Sequence, residues 1–125
     1  MPTALDGPPV TAARPQLWRV RDRRTFAALR RHGRRVRRGP LTVTWLPAAG
    51  DPTPPRAAFS VGRSVGGAVQ RNRVRRRLRG ALRELLLAGR LPSGTYLLTG
   101  STELAQLPWP QLLDLVGAAV DEVTA

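Results

Sequence analysis

The stretch "VQRNRVRRRLRG", residues 69–80, decides how this chain is read. Six of its twelve residues are arginine, and Asn72 stands between the first two. From about Gly67 to Ala88 the pattern predicts one long helix, closed by Gly89, with Gly80 as a point of kinking or division. At about 100° per residue, Val74, Leu78, Ala81, Leu82 and Leu85 gather within roughly 100° of arc and form a stripe for burial. Arg71, Asn72, Arg75, Arg76, Arg79 and Arg83 gather on an adjoining ridge, and Arg73 and Arg77 fall on the far flank. Like charges four residues apart cost an isolated helix about 0.2–0.5 kcal/mol per pair. A stack of them therefore points to an anionic partner that relieves the repulsion. Guanidinium groups grip phosphate in a planar fork, and an Asn amide both donates and accepts toward a base edge or ribose.

The elements on either side set this helix on a sheet. "DRRTFAALRRHG" (22–33) reads as a helix with Asp22 as N-cap, Phe26 and Leu29 on one side and Gly33 as the residue just past its end. "LTVTWL" (41–46) alternates, with Leu41, Val43 and Trp45 on one face and Thr42, Thr44 and Leu46 on the other. "RAAFSVG" (56–62) reads as a strand whose apolar face is Ala57, Phe59 and Val61, with Ala58 and Ser60 opposite. "GTYLLTG" (94–100) reads as a short buried strand, and "LPWPQLLDLVGAAVDEVTA" (107–125) as a closing helix with Pro110 in its first turn. The expected fold class is α+β, a small α/β sandwich of about four strands and three helices. Residues 1–16, rich in Pro, Ala and Thr, read as a flexible tail, and 17–125 as a single domain.

Composition narrows the partner. The 125 residues carry a net charge of +13, and every basic side chain other than His32 is arginine. All 21 arginines lie in residues 1–90, which have a net charge of +17, whereas 91–125 carry −4. The polyanion-binding surface therefore belongs to the first part, and the closing segment is scaffold. With no Cys there is no disulfide and no thiolate metal site. No apolar run approaches a membrane span, and the first residues lack a secretory pattern, so a cytoplasmic location is expected. A nuclease acting alone needs clustered carboxylates or an acid–base pair. Asp22, Asp51 and Glu84 are isolated, and the one histidine sits at a helix end, where it reads as an exposed cap or phosphate contact.

"SVGGAVQRNRVRRRLR" (64–79) resembles the signature of the bacterial ribonuclease P protein subunit. Ala68, Arg71, Asn72, Val74, Arg75, Arg76, Leu78 and Arg79 occupy its positions. "TFAALRRHG" is similar to the family's N-terminal helix, and "FSVGRSVG" to its strand and turn into the signature helix. The resemblance implies a left-handed β-α-β crossover, an exception to the usual hand. It also implies a division of labour. The signature helix, through Arg71, Asn72, Arg75, Arg76, Arg79 and Arg83, binds a large catalytic RNA. A cleft between the first helix and the sheet holds the 5′ leader of precursor tRNA. Mg²⁺, held mainly by the RNA subunit and substrate, serves the cut, and the protein has no catalytic or metal-binding residue of its own. For the leader, Phe26 offers a ring for stacking, Thr42, Thr44 and Ser60 a hydroxyl floor, and Arg30 and Arg63 charge.

The chain departs from the family at three places. Arg30 and Thr44 stand where aromatics are common, and Ser64 where a second basic residue is common. Leader binding is thereby expected to lean on charge more than on stacking. The expected partners are ribonuclease P RNA and precursor tRNA, with no DNA and no membrane. The competing reading is a structural, ribosomal-type RNA-binding protein with no part in catalysis. It ordinarily brings long basic tails, and here residues 1–16 hold only Arg14.

Overall fold

The computed structural model describes residues 17–20, 22–48, 50, 54–62 and 66–125. The tail expected over 1–16 lies outside the described residues, as do Arg63 and Ser64. The chain runs β1 (Trp18–Arg19), α1 (Arg23–His32), β2 (Arg34–Arg38), β3 (Leu41–Leu46), β4 (Arg56–Ser60), α2 (Ala68–Leu87), β5 (Thr95–Gly100), a 3₁₀ turn (Thr102–Ala105) and α3 (Trp109–Thr124). Five strands form one sheet in the order β1-β4-β5-β3-β2. β1 and β5 each pair with β4 in parallel, and β3 pairs antiparallel with both β5 and β2. The parallel β4–β5 pair is joined by α2, which makes the β-α-β unit implied by the resemblance. The α+β class and the three helices are as expected, and the sheet is one strand larger.

The two strands that the sequence pattern does not disclose are β1 and β2. β1 is only two residues long. β2 reads RRVRR, with Val36 as its single apolar residue, so it has no alternation to detect. The available signal is the Gly39-Pro40 pair behind it. Gly39 has φ +56 at the first position of a two-residue hairpin loop, where a type II′ turn calls for glycine.

The sheet is packed on both faces. On one, α2 and α3 close a core that contains Leu41, Val43, Tyr96 and Leu98 of the sheet, Val74, Leu78, Ala81, Leu82 and Leu85 of α2, and Leu112, Val116 and Val120 of α3. The stripe drawn from the α2 periodicity is thus the buried stripe. Tyr96 is fully buried, its hydroxyl donates to the Pro92 carbonyl, and desolvation pushes its pKa well above the usual phenol value. On the other face α1 closes a smaller cluster of Val20, Leu29, Ala58 and Leu97, with Phe26 and Leu46 against it.

Three local expectations are corrected. α2 is continuous through Gly80; a Cβ there would stand 3.2 Å from the Trp109 ring, so this glycine makes room for α3 and does not divide the helix. Gly33 does follow α1, and its N–H donates to the Leu29 carbonyl, but its φ is −70 and not left-handed. A Cβ at Gly33 would lie 2.5 Å from the Leu29 carbonyl oxygen and 2.6 Å from Thr44 Cγ2. Glycine is there so that the chain leaving α1 can touch β3. Thr44 itself is only 4% exposed, so it is part of the α1–sheet packing and not an open floor for a ligand. At the other end of α1, Asp22 is the N-cap as expected. Its carboxylate accepts from the Thr25 hydroxyl and N–H, and these bonds hold its pKa below the usual value.

Substituting Gly33→Ala should cost about 1–3 kcal/mol, the range for overpacking against atoms that cannot move aside. Urea unfolding of the variant checks this. An unchanged midpoint would mean that α1 lifts from β3 at no cost.

Candidate RNA interface

The apolar stripe of α2 settles where each of its arginines points. Asn72, Arg73, Arg76 and Arg83 are exposed, and Arg71, Arg75, Arg77 and Arg79 are half-buried. Asn72 is tied into the ridge, since its Oδ1 accepts from Arg75 at 3.1 Å. The far flank splits in two. Arg73 points into solvent, but the Arg77 guanidinium reaches across to the 3₁₀ turn, donating to the Leu104 carbonyl at 2.6 Å and to that of Leu107. The Leu104 carbonyl is near the end of that turn, where the last carbonyls need donors, and Leu107 lies two residues past it. Arg77 is therefore a fastener between α2 and the segment entering α3.

The ridge also divides. Arg75 and Arg79 lean over the edge of β4 and line a groove of about 300 Å³ with Arg19, Val20, Phe26, Ala57, Ala58 and Phe59. β1 leaves this edge open because it pairs only with Arg56 and Ala57. The groove thus lies between α1, which supplies Phe26, and α2, which supplies the two arginines. The Arg79 guanidinium sits 5.4 Å from the centre of the Phe59 ring, within cation–π range. Partial burial, then the positive charges of Arg19 and Arg83, hold its pKa below the usual arginine value. It stays cationic at neutral pH, since guanidinium does not deprotonate in proteins. No carboxylate lines the groove among the described residues. A crowded, partly desolvated cation beside two aromatic rings is a seat for an anion carrying a flat ring.

Of the residues expected at a leader cleft, Phe26 and Arg30 meet. Phe26 is half-buried, with one side on the small α1 core and its remainder in the groove. With Arg23, Ala27 and Arg30 it also lines a shallow depression of about 470 Å³ on the outer face of α1. Ser60 is exposed at the end of β4. Thr44 is buried away from both openings. Arg19 and Phe59 are groove residues that sequence reasoning misses. β1 is too short to read from a pattern, and the strand period puts Phe59 on the core face without showing that it stands at the core's margin.

On the side of the sheet that α3 covers, part of the charge is offset by α3. Glu122 pairs with Arg38 at 2.9 Å and Asp121 with Arg90 at 3.2 Å, and Arg34 donates to the C-terminal Ala125 oxygen. Those arginines are fixed to the scaffold. Among the described residues no three His, Asp or Glu side chains come together as a metal site, and no helix is long and apolar enough to cross a membrane.

Residues 15–124 match the Ribonuclease P family. The chain belongs to the ribonuclease P protein family. It is 39% identical over 113 residues to the ribonuclease P protein component of Thermobifida fusca, spanning 85% of this chain and 76% of that protein. The counterpart from Streptomyces avermitilis is 39% identical over 102 residues, 71% of this chain and 81% of that one. Among solved structures, the RNase P protein from Thermotoga maritima superposes with a TM-score of 0.72 at 20% identity, over 84% of this chain and 96% of that one. A mutant of the Staphylococcus aureus RNase P protein, described as defective in mRNA degradation, superposes with a TM-score of 0.75 at 15% identity, over 86% and 88% of the two chains. At these identities the superpositions speak for the fold. As a ribonuclease P protein component, the chain partners an RNA subunit in a ribonucleoprotein that serves tRNA processing.

Arg77→Ala should lower stability by about 1–3 kcal/mol, because it leaves part-buried carbonyls without donors. The exposed Arg76→Ala should stay within about 0.5 kcal/mol of wild type. Chemical denaturation of the two variants checks the difference in role.

Proposed function

We propose that the chain grips the RNA subunit through the outward side of α2, by Arg71, Asn72, Arg76 and Arg83. The groove at the β4 edge holds the single-stranded 5′ leader of precursor tRNA. The observation that carries this is the composition of the groove. Phe26 and Phe59 offer ring surfaces, Arg19, Arg75 and Arg79 offer phosphate donors, and no lining carboxylate repels an RNA backbone. Arg75 and Arg79, expected on the ridge that meets the RNA subunit, serve the leader in this reading. Arg30 and Ser60 flank the path at its α1 and β4 sides.

The protein's part is then to bind and orient, and the RNA subunit carries the cleavage. Mg²⁺ supplies Lewis-acid chemistry at the scissile phosphate when bound, and among the described residues no three carboxylate or imidazole side chains gather to hold it. Asp22 is committed to Thr25, and Asp121 and Glu122 to Arg90 and Arg38. What the protein adds is affinity for a segment that mature tRNA lacks, which favours substrate over product. Such a ribonucleoprotein works in the cytoplasm, where its precursor RNAs are made.

Arg76→Ala should weaken binding to the RNA subunit. It should also flatten the log–log salt dependence by about 0.7–0.9 for each phosphate that is no longer neutralised. Arg73→Ala should have the smaller effect on both. Equal reductions in salt titrations of the two variants would reject the assignment of faces.

Base–aromatic stacking contributes about 1–3 kcal/mol per base. Phe26→Ala should therefore lower the holoenzyme's affinity for precursor tRNA at least several-fold and leave mature tRNA nearly unaffected. If the precursor-to-mature affinity ratio is unchanged while stability drops, Phe26 serves the α1 core alone.

A further inference from the structure

The ring of Trp109, the first residue of α3, lies against Gly80 on the outward side of α2. The far edge of the indole is the nearest neighbour of this glycine, since a Cβ there would stand 3.2 Å from Cη2 and 3.8 Å from Cζ3. At about 100° per residue, Arg76 and Arg83 fall on one side of Gly80, and Arg73 and Glu84 on the other, all within roughly 100° of arc. Three features hold the ring in place. Arg77 donates to the Leu104 and Leu107 carbonyls and ties the segment entering α3 to α2. Pro108 and Pro110 restrict the backbone on both sides of Trp109. Gly80 has no side chain to lift the ring away. Trp109 nevertheless remains 38% exposed, and Arg76 and Arg83 beside it are exposed as well. The other rings of the chain are placed elsewhere. Phe26, Phe59 and Trp18 line the openings at the β4 edge, and Trp45 and Tyr96 pack on each other.

We propose that Trp109 seats one unpaired nucleobase of the RNA subunit, which stacks on the indole while Arg76 and Arg83 take the phosphates on either side of it. This rests on the reading of the outward side of α2 given above and adds a contact from a different helix. Bases turned out of a duplex stack on aromatic rings, and every base has a face to offer. Arg76 and Arg83 are separated by roughly 10 Å along the helix axis, and Gly80 lies between them. On the opposite side Arg77 is spent on carbonyls and Glu84 repels phosphate, so the RNA backbone is guided along the Arg76 and Arg83 side. A continuous duplex offers phosphates but no free base face. The ring therefore favours a loop, a bulge or a strand end, and makes the grip depend on where an unstacked base stands. Closing α3 on α2 asks only for an apolar side chain at position 109. Leucine meets that need without a ring, which makes Trp109→Leu the discriminating change.

The experiment measures the affinity of the full chain for its RNA subunit, without precursor tRNA, over a series of salt concentrations. The proteins compared are wild type, Trp109→Leu, Trp109→Phe and Arg76→Ala. Trp109→Leu should weaken binding about 5-fold or more, the lower end of the range for stacking one base. The factor should be the same at every salt concentration, because stacking neutralises no phosphate. Trp109→Phe keeps a ring and should retain most of the affinity. Indole emission should be quenched when wild type binds the RNA subunit, and Trp109→Phe should remove most of that change. Equal losses in the Leu and Phe variants that follow lowered melting temperatures would make Trp109 a packing residue and overturn the proposal. Wild-type affinity in Trp109→Leu also overturns it; if Arg76→Ala still flattens the salt dependence, the reading of the outward side stands. If Trp109→Leu loses affinity as stated and Arg76→Ala keeps wild-type affinity and slope, the base seat stands and the assignment of Arg76 falls. If neither variant differs from wild type, both fall.

Discussion

The burial of five α2 side chains, Val74, Leu78, Ala81, Leu82 and Leu85, against the sheet and α3 is the constraint from which the rest follows. An α-helix is rigid about its axis, so once one stripe is buried the direction of every other side chain is set. Asn72, Arg76 and Arg83 must face solvent. Arg75 and Arg79 must lean toward the β4 edge, and Arg77 toward the 3₁₀ turn. The six arginines between positions 71 and 79 could have made a diffuse cloud of charge. The apolar stripe sorts them into an outward surface, a groove wall and a structural fastener.

The acidic closing helix completes that sorting. α3 gives most of its length to the core, and the last turns offer Asp121, Glu122 and the chain end to Arg90, Arg38 and Arg34. Such exposed pairs contribute little to stability. Their effect is on the map of charge: they quiet the α3 side of the sheet and leave the α1 side and the β4 edge strongly positive. An RNA approaching the protein meets an attractive field on the surfaces that carry rings and hydroxyls, and a weaker one on the scaffold side.

Much of this is legible in the amino-acid sequence. The α2 stripe, the Asp22 cap, three strands and the closing helix follow from period and punctuation, and these determine the fold class. What is not legible depends on contacts distant in sequence. β2 cannot be recognised from composition, because an edge strand of four arginines and one valine has the pattern of a loop. Gly33 and Gly80 look like a helix terminator and a helix breaker; each is instead a place where another element presses close, Thr44 in one case and Trp109 in the other. Thr44 belongs by alternation to the face opposite the core, and only the docking of α1 on that face shows that it is buried. For the site, the ridge residues are readable from the helical wheel. That two of them share a groove with Phe26 depends on β1 being short enough to leave the β4 edge uncovered.

The two faces of the sheet are closed by very unequal cores. Among the described residues, four are buried in the cluster under α1 and nineteen in the cluster under α2 and α3. Free energies of local opening scale with the apolar packing that must be broken, so the molecule has two tiers of cooperativity. By that measure α1 needs less packing to be broken than α2 or α3, and its cluster shares no buried residue with the one that aims α2. The groove therefore has one wall on the larger core, carrying Arg75 and Arg79, and one on the smaller, carrying Phe26. On the proposed reading, a holder built this way admits strands of differing thickness and sequence while keeping their phosphates in a constant frame.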